Sequence, residues 1–177
     1  DGAMGFWAAL EEVYPESRQQ RCWMHKTMNV LNCLPKSLQA KAKKALHEIW
    51  QANTREDTKK AFDLFLKTYE PKYPKAALCL QKDRDELMAF YDFPAQHWQS
   101  IRTSNPIEST FGTIRHRMKR SKGCLTRDGM LHMMFKLGQC AQKNWRRQRG
   151  FDYLAKVITG VKFRDGIEVT ESNQVAA

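Results

Sequence analysis

A mainly α-helical fold with a few short strands is what this sequence predicts, on three observations. Apolar residues recur at helical spacing through much of the chain, as in Leu38, Ala42, Ala45, Leu46, Ile49 and Trp50, or Ile107, Phe111, Ile114 and Met118. Capping and breaking residues frame these stripes: Thr54, Asn105-Pro106 and Thr126 at starts, Pro71 and Pro74 between them. Strand-like stretches are few and short. With 177 residues, 42% hydrophobic and 11% aromatic, the chain can bury a sizeable core.

In chain order, residues 4–13 predict a short helix ended by Pro15, and Arg18–His25 a short, buried strand. Lys26–Leu34 turns back into helix before Pro35. Residues 36–102 read as a helical block of three amphipathic segments, able to bury a core of its own. The second carries Ala61, Phe62, Phe65, Leu66 and Tyr69, and the third Ala77, Leu80, Arg84, Leu87, Met88 and Tyr91. Trp98 follows on a connecting segment. The next helix starts at Asn105-Pro106, with Asn105 as N-cap. Ser121–Cys124 is a basic turn, and Thr126 caps a long helix running towards Gly150, its methionines read as core filler. A short helix at Tyr153–Ile158 precedes a weak hairpin signal around Asp165-Gly166.

The net charge of +11 is concentrated. Between Arg115 and Arg149 stand eleven Lys/Arg and one acid, Asp128. Positive charge so dense and so little balanced points to nucleic acid, with a solvated basic helix face as the plain alternative. No apolar run approaches the roughly 20 residues of a membrane span, and no signal-peptide pattern is present. Five scattered cysteines, 22, 33, 79, 124 and 140, suggest a reducing compartment. The first residue is Asp1 and not Met, which suggests a start inside a larger fold.

On the Asn105 helix, Glu108, Gly112, Arg115 and Lys119 share one edge, on the shoulder of the apolar stripe. That edge can hold a metal through Glu108 and a phosphate backbone through Arg115 and Lys119. Equally, an acid at N3 behind an Asn cap simply complements the free amides of the first turn. Cys22-x-x-His25 has ligand spacing but is only half a zinc site. No glycine-rich phosphate loop is present. What remains is a pair of carboxylates, Asp1 and Glu108, followed by a basic field. Carboxylates holding Mg²⁺ beside phosphate-binding cations are what in-line attack on a phosphodiester requires.

Three stretches carry a resemblance: Asp1-Gly2-Ala3-Met4-Gly5-Phe6-Trp7, Gln20-Arg21-Cys22-Trp23-Met24-His25-Lys26 and Thr103-Ser104-Asn105-Pro106-Ile107-Glu108-Ser109-Thr110-Phe111. In that order they resemble the Mutator-type transposases of bacterial insertion sequences. The resemblance implies the C-terminal portion of a ribonuclease-H-like α/β core carrying a helical insertion. Residues 1–34 would belong to the core, 35–102 to the insertion, 103–160 to core helices, and 161–177 to a tail with a possible hairpin and then disorder. It also implies an Asp-Asp-Glu triad whose second Asp is Asp1 and whose Glu is Glu108, both ligands of Mg²⁺ (or Mn²⁺). Cys22 and His25 match the family's Cys/Asp-x-x-His signature and would shape the site, as would Asn105. Arg115, Lys119, Arg120, Lys122 and Arg127 would hold DNA. The family's first Asp, early strands and N-terminal DNA-binding region have no counterpart here, so this stretch by itself is expected to be inactive. The complete protein is expected to act on transposon ends and target DNA as a homo-oligomer, in a bacterial cytoplasm at the nucleoid. Two further classes stay open: a non-catalytic DNA-binding remnant, and a helical RNA-binding or scaffold module.

Overall fold

The computed structural model describes residues 4–120, 122 and 126–170. Among them the chain is mainly helical, with one small antiparallel hairpin. The longer helices are α1 (Met4–Val13), α2 (Trp23–Asn32), α3 (Lys36–Gln51), α4 (Arg55–Tyr69) and α5 (Pro74–Gln81). Two single-turn helices follow, α6 (Arg84–Leu87) and α7 (Trp98–Ile101). Then come α8 (Asn105–Arg120), α9 (Arg127–Gln142) and short α10 (Leu154–Ile158), before the hairpin strands β1 (Phe163–Arg164) and β2 (Ile167–Glu168).

The core lies between α2, α3, α4 and α5. Trp23, Val30, Leu46, Ile49, Phe62, Phe65 and Leu80 are buried there, closed off by Leu87, Phe90 and Tyr91. Several of its polar groups are paired, though the Thr27 hydroxyl and the Trp50 indole N–H are buried without a hydrogen-bond partner. The Trp23 Nε1–H donates to the Leu87 carbonyl at 2.7 Å. The Tyr91 hydroxyl donates to the Ala52 carbonyl at 2.7 Å, and the Thr58 hydroxyl donates to that of Ile49 at 3.0 Å. Lys26 is fully buried, donates to the Cys79 carbonyl at 2.7 Å and pairs with Asp83, which also takes Arg21 Nε at 3.1 Å. Burial alone would push the Asp83 carboxyl up; Lys26 and Arg21 outweigh it and hold it below its usual value.

Several expectations need correction. Arg18–Cys22 forms no strand, and α2 begins at Trp23. The backbone N–H groups of Arg21 and Trp23 reach the carbonyls of Glu86 and Arg102, at 2.9 and 3.0 Å, instead of a neighbouring strand. The buried set Trp23, Lys26, Thr27, Val30 repeats at helical period, and the charge on Lys26 disguised it. The third segment of the helical block is broken after Gln81, because Leu87 to Tyr91 are all buried in succession, which a one-sided helix cannot manage. Helix α9 stops at Gln142, well short of Gly150.

The α8 stripe is buried only at Ile114; Ile107 and Phe111 are more than half exposed. On α9, Met130, Leu131, Met134 and Phe135 are exposed, so these methionines are surface and not core filler. The two helices pack on each other and leave an apolar face open. The capping signals of Thr54 and Thr126 hold: their side chains accept from the N–H groups of Asp57 and Gly129, both at 3.1 Å. The hairpin also forms, turning at Asp165 (φ 50) and Gly166 (φ 81). It is docked into the body, since Asp165 Oδ1 accepts from the Arg55 N–H at 2.7 Å and the Gly166 carbonyl from that of Ala95 at 3.1 Å. The expected disordered end, 171–177, lies outside the described residues.

Candidate active site

Two helix starts meet to make the site. Cys22 is the extended residue before α2 (φ −66, ψ 117), and His25 lies in that helix's first turn. Across from them Ser104 precedes α8, and its carbonyl accepts the first helical bond, from the Glu108 N–H at 3.0 Å. The capping position therefore falls on Ser104, one residue earlier than the sequence suggested. Asn105 is the first residue of the helix and is exposed.

The four side chains form one connected cluster. Ser104 donates its hydroxyl to Glu108 Oε1. His25 Nε2 stands 3.5 Å from the same oxygen, and its Nδ1 stands 3.2 Å from Cys22 Sγ and 3.3 Å from the Ser104 hydroxyl. The Ser104 backbone N–H donates to Cys22 Sγ at 3.3 Å, with the hydroxyl oxygen 3.2 Å from that sulfur. The one hydroxyl proton is shared between two acceptors, the Glu108 carboxylate being the stronger and the Cys22 sulfur the weaker. Cys22 is buried, whereas His25 and Glu108 are part-exposed. The cluster thus has a covered sulfur behind and an accessible carboxylate in front.

Both ring nitrogens of His25 are engaged within the cluster, so it is placed as a support for Glu108. Ser104 is the residue sequence reasoning passed over. A Ser four residues before the acid was visible in the Thr103–Glu108 stretch, but its neighbour Asn105 drew the capping assignment. Asp1 lies outside the described residues. Arg115, Lys119, Arg120, Lys122 and Arg127 are all exposed, on α8, the turn after it and the first position of α9. Arg120 lines a shallow groove along α8 with Ser109, Gly112, His116 and Arg117.

Residues 1–148 match the family model described as "Transposase, Mutator family". The chain belongs to the Mutator family of transposases. It is similar to the transposase for insertion sequence element IST2 of Acidithiobacillus ferrooxidans, with 57% identity over 94% of this chain and 56% of that protein. Similarity to the transposase for IS6120 of Mycolicibacterium smegmatis is 43%, over 94% of this chain and 51% of the relative. The transposase for IS905 of Lactococcus lactis matches at 32% over 68% of the chain. The chain spans about half the length of the first two relatives.

In this Mutator-family chain the Cys22 thiol is unusual. Burial would push it up, but bonds from the Ser104 hydroxyl, the His25 backbone and ring, and the Ser104 N–H bring it down from 9.0 to about 7. A thiol lowered in the folded state stabilises the fold at pH above its unfolded value, and that contribution is lost as pH falls through about 7. Stability is therefore expected to rise from pH 7 to about pH 9, by up to about 2 kcal/mol. Urea unfolding of wild type and Cys22→Ser at pH 6.5, 7.5 and 8.5 reads this directly, because the difference between the two curves isolates Cys22. Parallel pH dependence in both proteins would remove the lowered thiol from the account.

Proposed function

We propose that this chain supplies the Glu-bearing part of a DDE transposase, which cuts DNA at insertion-sequence ends and joins it to a target. The observation that carries this reading is the supported Glu108: Ser104 and His25 both bear on Oε1, which leaves Oε2 for a cation. A hard carboxylate oxygen suits Mg²⁺ (or Mn²⁺), and the soft Cys22 sulfur behind it does not. Among the described residues no group of three or more His, Cys, Asp or Glu could hold a metal by itself. Asp1 and a further acid, from the length that the relatives have beyond this stretch, would complete the set. Such metals, when bound, stabilise the attacking and leaving oxygens of the displacement. Glu108 would hold its ion, Ser104 and His25 would fix the carboxylate, and Arg115, Lys119, Arg120, Lys122 and Arg127 would hold DNA phosphates.

In this reading residues 1–34 and 103–160 belong to a ribonuclease-H-like core and 35–102 are its helical insertion. Helix α2 links the two: its Trp23 face lies in the insertion's core, and its His25 stands against Glu108. The exposed apolar side chains of α8 (Ile107, Phe111) and α9 (Met130, Leu131, Met134, Phe135) are apolar surface of the kind a folded partner covers. We assign it to the half of the protein that the relatives possess beyond this stretch. DNA and further copies of the complete protein are the partners of this reading. No helix among the described residues is long and apolar enough to cross a membrane.

DNA binding by the 177-residue chain is expected to weaken steeply with salt, with a log–log slope of about −0.9 per phosphate contacted. Replacing Arg115, Lys119 and Lys122 by Ala should flatten that slope by up to about three contacts' worth, on every sequence alike. Glu108→Ala should bind as well or slightly better, since it removes a negative charge beside the phosphates. Titration of labelled duplex at several salt concentrations separates these. An unchanged slope in the triple variant would move the DNA surface elsewhere, to the Lys41-Lys43-Lys44 side of α3 in the first instance.

A further inference from the structure

We infer that a second, arginine-lined cleft grips the DNA backbone beside Glu108; this rests on the transposase reading above and extends it. The cleft measures about 660 Å³ and lies between the end of α3, the segment before α8 and the chain after α9. Arg102, Arg146, Arg147 and Arg149 line it together with Trp50, and no acidic side chain does. Asn105 and Pro106, from the first turn of the Glu108 helix, form part of its wall. Two remote parts of the sequence thus deliver four guanidinium groups to a hollow that adjoins the candidate site.

The arrangement is built, not a chance scatter of surface charge. Arg102 is half-buried; its Nη1 donates to the Trp50 carbonyl at 3.0 Å and its guanidinium lies 4.7 Å from the centre of the Trp50 ring. Arg147 is held 4.6 Å over the Phe151 ring. The segment that carries Arg146, Arg147 and Arg149 leaves α9 without regular structure and is tied down at Gly150. The Gly150 carbonyl is 2.8 Å from Nε2 of buried His97. Gly150 has φ +69, and a Cβ there would stand 2.5 Å from the Gln96 Cβ, so only glycine lets the chain pass this close. Arg102 and Arg147, fixed in this way, pay little entropy on binding an anion, while Arg146 and Arg149 are exposed on the same held segment.

Planar guanidinium forks match phosphate oxygens in pairs, and a run of them suits a ligand with regularly spaced phosphates. An acidic peptide would present carboxylates without that spacing. A DNA strand entering towards Glu108 provides it. The cleft therefore positions the strand next to the carboxylate, while the α8 cations hold the duplex further along.

The test uses labelled duplex DNA and the 177-residue chain at several salt concentrations. Replacing Arg146, Arg147 and Arg149 together by Ala should flatten the salt slope by up to about three contacts' worth. Replacing the same three by Lys keeps the charge and removes the fork. That variant should keep a near wild-type slope yet bind several-fold more weakly at every salt concentration. An Ala variant with an unchanged slope, or a Lys variant that binds like wild type, would overturn the cleft. If the Arg115, Lys119 and Lys122 triple variant still shows its own loss, the transposase reading survives that result. If neither set of variants changes binding, the DNA reading itself fails.

Discussion

Glu108→Gln in the complete transposase should abolish Mg²⁺-dependent strand cleavage, by a factor of at least about 10³, or roughly 4 kcal/mol of barrier. The substitution keeps the side chain's shape and an oxygen to accept the Ser104 hydroxyl, so the cluster is preserved. What disappears is the negative charge that a divalent cation needs. DNA binding should persist, which separates this loss from a failure to engage substrate. Ser104→Ala should act more mildly and differently. It removes a group that orients the carboxylate without touching the metal, a change that typically costs 10- to 100-fold in metal affinity or activity. Its signature should be a raised Mg²⁺ requirement, partly rescued at high Mg²⁺, and a Cys22 thiol moved back up. Cleavage that survives in Glu108→Gln would return Glu108 to a capping role and leave a DNA-binding remnant as the better description.

Trp23→Ala should be the most damaging single change to the fold. Trp23, the first residue of α2, is fully buried in the core cluster, and truncating a core aromatic costs about 3–5 kcal/mol. The Leu87 carbonyl would also lose its bond from Nε1. Against total stabilities of about 5–15 kcal/mol, such a loss leaves little reserve. Trp23→Phe keeps most of the apolar volume and should cost far less, mainly the hydrogen bond and a small void. Because Cys22 adjoins Trp23, the Ala variant should also release the thiol from its lowered state. Urea unfolding of both variants gives the numbers; a loss below about 1 kcal/mol in Trp23→Ala would mean the core is centred elsewhere.

Helices with one wet and one dry face were readable from residue order. The α3 and α4 stripes and the Thr54 and Thr126 caps all stand where local chemistry puts them. The reading failed where a residue's environment contradicts its type. Lys26 sits in the core because Asp83, 57 positions later, neutralises it, and nothing near residue 26 announces that partner. The exposed α8 and α9 faces were misjudged for the opposite reason. Their apolar pattern is that of buried helices, and no part of the described chain covers them. The Cys22, His25 and Glu108 cluster was legible as three residues but not as one site, since Ser104 joins them through contacts spanning about 80 positions.

A crystal structure of the complete transposase soaked in Mn²⁺, with the anomalous signal used to find the metal, tests the central claim most directly. The expected result is a metal shared by the carboxylates of Asp1 and Glu108, one of a pair about 3.5–4 Å apart. Ser104 and His25 should still bear on Glu108 Oε1 in that structure. Asp1 and Glu108 on opposite faces of the core, with no metal at Glu108, would contradict it.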